Sequence, residues 1–273
     1  MAKSFEGQVV WITGGGTGIG RAMALEFGAQ GAAVVVVSGR REGPLEETVE
    51  AMEAAGSRGK TVLCDVTKVT DVEAAVAAIV EEFGRLDVVV ANAGFSVTGK
   101  VEELTVTDWR RQFETNVFGL VSTVRESIPH LRETGGRIAL MGSVAGTIGL
   151  PKNGPYSASK FAVRGIGQSL TAELAADGIS CTTLLPGFIE SEIAQVDNQG
   201  RHREDWEDRR PQRFIWPADR AAKVMVKAIA RRRTEVVITK HGKVAAFFGN
   251  HAPRLTQRFM ARSGVKAREK RSE

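Results

Sequence analysis

Thr13-Gly14-Gly15-Gly16-Thr17-Gly18-Ile19-Gly20 follows a short apolar run at residues 8–12 and precedes a segment, residues 21–27, with apolar residues at helical spacing. A strand, a glycine-rich turn and a helix in this order can hold the pyrophosphate of a dinucleotide. Glycine lets the backbone turn tightly and approach the phosphates, and the helix N-terminus supplies free N–H groups. A P-loop ends in Gly-Lys-Ser/Thr, whereas this turn ends in Gly-Ile-Gly-Arg. The stretch therefore predicts a dinucleotide-binding unit.

Strand-like and helical segments alternate along the remaining chain. Continuous apolar strands separated by helices indicate a parallel sheet covered on both faces, and right-handed crossovers make it doubly wound. The sequence therefore predicts an α/β fold. Further strands are expected at residues 33–38, 61–64, 86–91, 137–141, 179–185 and 235–238, and further helices at 42–55, 69–83, 107–131, 155–176 and 218–231.

Polar and turn-forming residues follow several of these strands. Asp65, Asn92, Ser143 and Pro186 each stand just after an apolar run, as the glycine-rich stretch does. Ligands of doubly wound sheets bind outside the carboxyl ends of the strands. We therefore expect these positions to meet in one crevice.

Tyr156 and Lys160 are four residues apart, and Ser143 precedes Tyr156 by thirteen. On a helix this spacing places a phenol beside an ammonium group. A nearby cation lowers the pKa of a phenol from its usual value of about 10, and such a tyrosine can exchange a proton with a carbonyl or alcohol oxygen. The pair predicts acid–base chemistry at a substrate oxygen.

Taken together, these residues give the chain a resemblance to the short-chain dehydrogenase/reductase family, in its compact single-domain branch. The resemblance covers about residues 3–238. It implies a seven-stranded Rossmann-type sheet, an NAD(P)-dependent oxidoreductase and a homodimer or homotetramer. The motifs that carry it are Thr13-Gly14-x-x-x-Gly18-x-Gly20, Asp65, Asn92-Ala93-Gly94, Asn116, Ser143, Tyr156-x-x-x-Lys160 and Pro186-Gly187.

The resemblance implies four catalytic residues. Tyr156 would be the general acid in reduction and the base in oxidation, and Ser143 would polarise the substrate oxygen. Lys160 would bind the nicotinamide ribose and lower the pKa of Tyr156. Asn116 would hold a water in a proton relay.

The resemblance also implies a set of cofactor contacts. Asp65 would meet the adenine ring and the Ile189 backbone the nicotinamide amide, while Ser191 stands where the family usually has threonine. Asn92 either contacts the cofactor or braces neighbouring strands. The expected cofactor residues are Gly14, Thr17, Gly18, Ile19, Gly20, Arg40, Asp65, Val66, Asn92, Ala93, Gly94, Tyr156, Lys160, Pro186, Gly187, Ile189 and Ser191.

The end of the second strand bears on the choice between NAD and NADP. NAD-binding sheets usually place a carboxylate here to hold the ribose 2′-hydroxyl, but this strand ends Ser38-Gly39-Arg40-Arg41. Arginine matches a phosphate in bidentate geometry. The sequence therefore favours NADP(H), with Arg40 on the 2′-phosphate. NAD(H) stays open, because Thr17 stands where many NADP-preferring relatives carry Arg or Lys.

Residues 190–217 are expected to form a mobile lid over the substrate. Five arginines and four carboxylates between residues 201 and 213 nearly cancel, so the segment does not indicate an anionic substrate. Phe95, Leu150 and Trp206 would line the substrate pocket beside Ser143 and Tyr156. An apolar ketone or secondary alcohol is expected.

The net charge of +5 lies in the tail, since residues 252–273 hold seven basic and two acidic residues. The neutral remainder argues against nucleic-acid binding. A catalytic domain is expected at residues 1–240 and a basic amphipathic extension at 241–273. From residue 243 onward this extension can lie on an anionic membrane or pack over a pocket or a partner subunit.

Composition indicates a cytoplasmic protein. No apolar run approaches a membrane span, and residues 1–6 lack a signal-peptide core. Four scattered histidines show no ligand spacing, so no metal site is expected. Two rival functions remain: a non-catalytic, NADP(H)-sensing protein and, opposed by loop spacing and length, a sugar-nucleotide epimerase or dehydratase.

Overall fold

A computed structural model describes residues 3–269 except 204, 207 and 209. The described chain forms one sheet and a series of helices. The strands are β1 Val9–Thr13, β2 Val34–Gly39, β3 Gly59–Leu63, β4 Val88–Ala91, β5 Arg137–Met141, β6 Ser180–Leu185 and β7 Glu235–Val237. The α-helices are α1 Gly18–Ala29, α2 Glu42–Ala54, α3 Val69–Phe83, α4 Val106–Phe113, α5 Gly119–Thr134, α6 Gly154–Glu173, α7 Ala218–Ala230, α8 Lys240–His251 and α9 Pro253–Glu269.

All strand pairs in the sheet are parallel, and the order is β3-β2-β1-β4-β5-β6-β7. The order reverses between β1 and β4, which is where doubly wound sheets open a crevice at the carboxyl ends of the strands. The predicted doubly wound seven-stranded sheet and the C-terminal helical extension are both confirmed.

Alternation along each strand builds one apolar core on each face of the sheet. In β1, Val10 and Ile12 pack with α1 and α7, whereas Val9 and Trp11 pack with α3 and α5. All four side chains are buried. Burying an aliphatic side chain of this size contributes about 1.5–3 kcal/mol, so the two cores fix the strand ends that form the crevice.

The single helix predicted over residues 107–131 is wrong in one respect. Helices α4 and α5 are joined by a π-helical turn, Glu114–Phe118, which carries Asn116. A π turn widens the backbone and commonly occurs at functional sites. Apolar periodicity does not reveal it, because the turn shifts the register by only one residue.

Helix α8 packs closely against the loop after β5. A Cβ on Gly249 would lie 2.6 Å from the carbonyl oxygen of Thr147. Asn250 Oδ1 also accepts a hydrogen bond from Arg164 of α6 at 2.9 Å. Helix α9 then packs on α8. Among the described residues, no helix has both the length and the apolar character needed to cross a bilayer.

Candidate functional site

One cleft of about 1200 Å³ lies at the carboxyl ends of the strands. The glycine-rich turn lines it at one place, and Ser143, Tyr156 and Lys160 line it at another. Every residue predicted for the cofactor and the substrate lines this cleft, and Asn116 is the one predicted residue that does not. The structure therefore brings together residues that are up to 192 positions apart, from Gly14 to Trp206.

The glycine-rich turn has the shape that a dinucleotide requires. The N–H groups of Gly14 and Gly15 both donate to Ser38 O, at 2.7 and 3.1 Å, and Gly14 has a φ of +65°. A Cβ on Gly20 would collide with the carbonyl oxygen of Gly14. Helix α1 begins here, and the Thr17 side chain does not cap it. Its first N–H groups therefore stay available to an anion, so these residues fit a pyrophosphate.

Asn92 braces the glycine-rich turn. Its Nδ2 donates to the carbonyl oxygens of Thr13 and Gly14, at 2.9 and 3.0 Å. In return, Thr13 Oγ1 accepts from the N–H groups of Asn92 and Ala93. Of the two roles left open by the sequence, bracing is present in the structure, and cofactor contact stays a prediction.

Two arginines after β2 reach across to the 190–217 segment. Arg40 is exposed at the cleft, and its Nη2 donates to Gly200 O at 3.0 Å. Arg41 pairs with Glu192 at 2.8 Å. Arg40 thus has no carboxylate partner among the described residues, and its guanidinium lies where an anion in the cleft could reach it.

The Asp65 carboxylate stabilises its own turn. Asp65 Oδ1 accepts hydrogen bonds from the N–H and the hydroxyl of Thr67, at 3.1 and 2.8 Å. Both Asp65 and Val66 face the cleft. Contact with an adenine ring stays a prediction.

Ser143, Tyr156 and Lys160 form the polar end of the cleft. Ser143 is buried and accepts a hydrogen bond from Ala145 N at 3.1 Å, and its hydroxyl is close enough to the Tyr156 phenol to lower the pKa of that phenol. Lys160 is 4% exposed, and its Nζ donates to Met141 O at 2.6 Å. The arrangement places a proton donor, a hydroxyl and an ammonium group at the same end of the cleft.

The pKa of Tyr156 differs in direction from the prediction. Burial raises the pKa of the phenol, and the Ser143 hydrogen bond and the charge of Arg210 only partly oppose that rise. Lys160 Nζ donates a hydrogen bond to Met141 O and lies 5.7 Å from the centre of the Tyr156 ring. Tyr156 is therefore a neutral phenol at pH 7, in the form that donates a proton.

Burial lowers the pKa of Lys160 to about 8 from 10.5. Between these two values the unfolded chain binds the lysine proton and the folded chain does not. Burying the charged Lys160 side chain destabilises the folded state, and this destabilisation is lost as pH rises from about 8 to 10.5. Relative to Lys160→Met, we expect the wild-type free energy of unfolding to rise by roughly 3 kcal/mol over this range. Urea unfolding at several pH values tests this, and parallel pH profiles would contradict it.

Asn116 lies behind the cleft wall and shapes it. Its side chain exchanges two hydrogen bonds with the Phe95 backbone, at 3.0 and 3.1 Å, and Nδ2 also donates to Ser159 Oγ at 3.3 Å. The amide is thus satisfied within the protein. Its part in a proton relay stays a prediction.

The comparisons with known proteins agree on one family. The family model described as short chain dehydrogenase matches residues 8–202. The chain belongs to the short-chain dehydrogenase family. A solved short-chain dehydrogenase/reductase from Burkholderia phymatum, in complex with NAD, superposes with a TM-score of 0.82 at 28% identity, covering 93% of this chain and 96% of that one.

Curated relatives of this short-chain dehydrogenase have named substrates. A hydroxynaphthalene reductase of Aspergillus fumigatus is 34% identical over 187 residues, covering 68% of each chain. A 3beta-hydroxysteroid dehydrogenase of Mediterraneibacter gnavus is 35% identical over 215 residues, covering 74% of this chain and 78% of its own. As a member of this family, the protein is an oxidoreductase that uses a nicotinamide cofactor.

Sequence reasoning missed Arg210, which holds the 190–217 segment of this short-chain dehydrogenase against the cleft. Its guanidinium donates to Ile189 O at 2.9 Å and Ser191 O at 3.2 Å, and it pairs with Asp208 at 2.7 Å. These carbonyls belong to the backbone expected to meet the nicotinamide. Several arginines stand in this segment, so nothing in the sequence pattern distinguished Arg210.

Replacing Arg210 with alanine is expected to loosen residues 190–217. Each lost hydrogen bond from a charged group weakens the segment by about 1.5–3 kcal/mol, so limited proteolysis within it should accelerate by about tenfold or more. The Tyr156 pKa should rise further, because Arg210 lowers it. Arg210→Lys keeps the charge without the planar fork and should restore the pKa but not the resistance to proteolysis. Unchanged cleavage in both variants would contradict this role.

His241 was also missed. Its Nε2 accepts a hydrogen bond from Phe188 N at 3.2 Å, and its ring stacks on Phe188 with centres 5.5 Å apart. Burial lowers the pKa of His241, which keeps Nε2 free to accept. The residue fixes the backbone after Gly187, where a Cβ would collide with Thr239. In the sequence, His241 is marked only by its position shortly after the last predicted strand, which does not indicate a role.

The substrate end of the cleft is mostly apolar. Phe95 is buried, Leu150 is half-buried, and Trp206 is 43% exposed at the edge of the cleft. Ile148 and Phe188 also line it. Among the described residues, no group of three or more His, Cys, Asp or Glu side chains could hold a metal ion.

Proposed function

We propose that the protein interconverts a carbonyl and a secondary alcohol on an apolar small molecule, with NADP(H) as the favoured cofactor. One observation carries this proposal: the Tyr156 phenol, the Ser143 hydroxyl and the Lys160 ammonium meet in the same cleft as the glycine-rich turn. The turn fits a pyrophosphate, and the polar end fits a reacting oxygen.

Each residue at the polar end of the cleft has a separate role in the proposed reaction. When bound, the nicotinamide supplies or accepts the hydride. Tyr156 gives its proton to the substrate oxygen in reduction and takes it back in oxidation, while Ser143 stabilises charge on that oxygen. Lys160 binds ribose hydroxyls and places a positive charge beside the phenol. Asn116, which lies in the π turn, holds the cleft wall at Phe95 in place. It also takes part in the proton relay.

Arg40 supports the choice of NADP(H). It lies exposed at the cleft after a strand whose last residue, Gly39, offers no carboxylate to a ribose hydroxyl. A 2′-phosphate would find a planar guanidinium within the cleft. The Burkholderia phymatum relative was solved with NAD, so NAD(H) is the alternative cofactor.

The substrate class follows from the apolar walls. Phe95, Leu150 and Trp206 suit a ring system better than an anion, and two of the relatives are named for naphthalene and steroid substrates. We therefore propose a cyclic ketone or its secondary alcohol. A sugar nucleotide, the substrate of the epimerase alternative, would need partners for its phosphates at this end.

We further propose that the protein is a cytoplasmic homodimer or homotetramer. Phe118 lies in the π turn before α5, Val121 lies on α5, and Phe161 lies on α6, which packs against the π turn. All three side chains are exposed in the single chain. Large exposed apolar side chains on adjacent helices suit burial between subunits. Light scattering on the purified protein measures the assembly directly.

The test of the proposed function measures oxidation of NADPH and of NADH with a panel of naphthalene-derived ketones, quinones, steroids and aldehydes. The wild type is run beside Ser143→Ala, which retains the fold and the cofactor residues. Turnover by the wild type with a large loss in the variant supports the proposal. Tight cofactor binding without turnover on any compound would favour the cofactor-sensing alternative.

A further inference from the structure

Helices α8 and α9 each leave large apolar side chains exposed, and these side chains together are called the apolar stripe here. On α8, Val244, Phe247 and Phe248 are 59%, 57% and 44% exposed, at the i, i+3, i+4 spacing of one helix face. On α9, Leu255 and Phe259 follow at i and i+4, and are 62% and 74% exposed. The opposite side of α8, with Gly242 and Ala246, is the buried one. The stripe therefore faces away from the protein body.

The charge along α8 and α9 has one sign as far as residue 268. The sequence from residue 236 to residue 268 contains no Asp or Glu, and it contains seven Lys or Arg residues from 240 onward. Arg254, Arg258 and Arg262 recur every four residues on α9, immediately beside Leu255 and Phe259, and all three are exposed. A helix with apolar side chains flanked by cations is the form that lies in the interface of an anionic bilayer.

We propose that α8 and α9 dock the protein on the surface of an anionic lipid bilayer. Charge decides between this partner and a second copy of the chain. A two-fold interface would place the cations that flank the apolar side chains against their own copies, and like charges there would oppose association. An anionic bilayer accepts both parts of the surface, with the Phe and Leu side chains entering the interface and the arginines meeting the headgroups.

Helix α8 joins the docking surface directly to the cleft. Helix α8 contributes His241 and Ala245 to the cleft lining, while Phe247 and Phe248 stand on its outer side. Close packing of Gly249 and the Arg164–Asn250 hydrogen bond hold α8 in place. A docked protein would therefore keep its cleft beside the bilayer, where apolar molecules concentrate.

Vesicle co-sedimentation tests the proposal on the full chain, independently of turnover. We expect binding to vesicles of phosphatidylcholine with phosphatidylglycerol, much weaker binding to phosphatidylcholine alone, and loss of binding as salt rises. Replacing Arg254, Arg258 and Arg262 together with Gln should weaken binding by roughly 100-fold, at about 1 kcal/mol per charge. The double variant Phe247→Glu, Phe259→Glu should weaken it by about tenfold or more.

Val69→Glu is the matched control. Val69 is 47% exposed at the start of α3, which packs against α5 and β3. The substitution adds one acidic charge to an exposed apolar position away from the docking surface. The Val69→Glu variant should therefore bind vesicles like the wild type. Thermal unfolding verifies that all variants fold. The proposal is overturned if the wild type does not pellet with anionic vesicles. It is also overturned if the double variant instead breaks an oligomer, seen by light scattering, with vesicle binding unchanged.

Discussion

Tyr156→Phe is expected to lower kcat by roughly 10²- to 10⁴-fold, the range that a positioned general acid contributes. The phenyl ring keeps the packing of the half-buried side chain, but the proton donor beside Ser143 is gone. Affinity for NADPH should change little, because the turn that fits the pyrophosphate and Arg40 are untouched. Steady-state kinetics and fluorescence titration with NADPH measure the two effects separately.

The chain contains a single tyrosine, which gives this prediction an internal check. Tyrosinate absorbance as a function of pH therefore reports on Tyr156 alone in the folded protein. We expect a pKa above the ordinary value of 10.0 in the protein without cofactor, because burial outweighs the hydrogen bond from Ser143. A variant with near wild-type kcat would contradict the role assigned to Tyr156. A phenol that titrates well below 10.0 would show that burial does not dominate its pKa.

Arg40→Ala is expected to weaken NADPH binding by roughly 10- to 100-fold and NADH binding far less. The estimate follows from about 1.5–3 kcal/mol for hydrogen bonds between charged groups. Only NADPH carries the phosphate that the guanidinium would hold. Titration of each cofactor into wild type and variant gives the two ratios directly.

Arg41→Ala is the matched control for this substitution. Arg41 has the same charge and is also exposed, but its guanidinium is already paired with Glu192. It should therefore change the ratio of NADPH to NADH affinity by much less than Arg40→Ala does. Equal losses of both cofactors in the Arg40 variant would show that Arg40 holds the 190–217 segment through Gly200 and does not read the 2′-phosphate.

The parts of the fold that depend on local pattern were predictable from the sequence. The buried strands are continuous apolar runs, so β1 and β2 fall within one or two residues of their predicted limits. The convergence of Ser143 with Tyr156 followed from parallel topology, which sends the carboxyl ends of strands to one edge. These features need only periodicity and connectivity.

The features that the sequence did not predict depend on contacts between distant segments or on a local change of helix type. Arg210 matters because its fork reaches Ile189 and Ser191, and no spacing rule links these positions. The pKa of Tyr156 rises because distant segments of the fold partly bury the phenol, whereas the sequence showed only the cation four residues away. The π turn at Asn116 adds one residue to a helix without altering its apolar pattern.

Transfer of deuterium from NADPH that carries two deuterium atoms at the reducing carbon of the nicotinamide tests the central claim most directly, because transfer from either face then delivers the label. The protein is incubated with a cyclic ketone from the panel, and the alcohol is analysed by mass spectrometry and NMR. The account predicts one deuterium on the carbinol carbon, formed faster with NADPH than with NADH and abolished in Tyr156→Phe. An alcohol without the label, or label incorporated equally fast by the Tyr156→Phe variant, would contradict it.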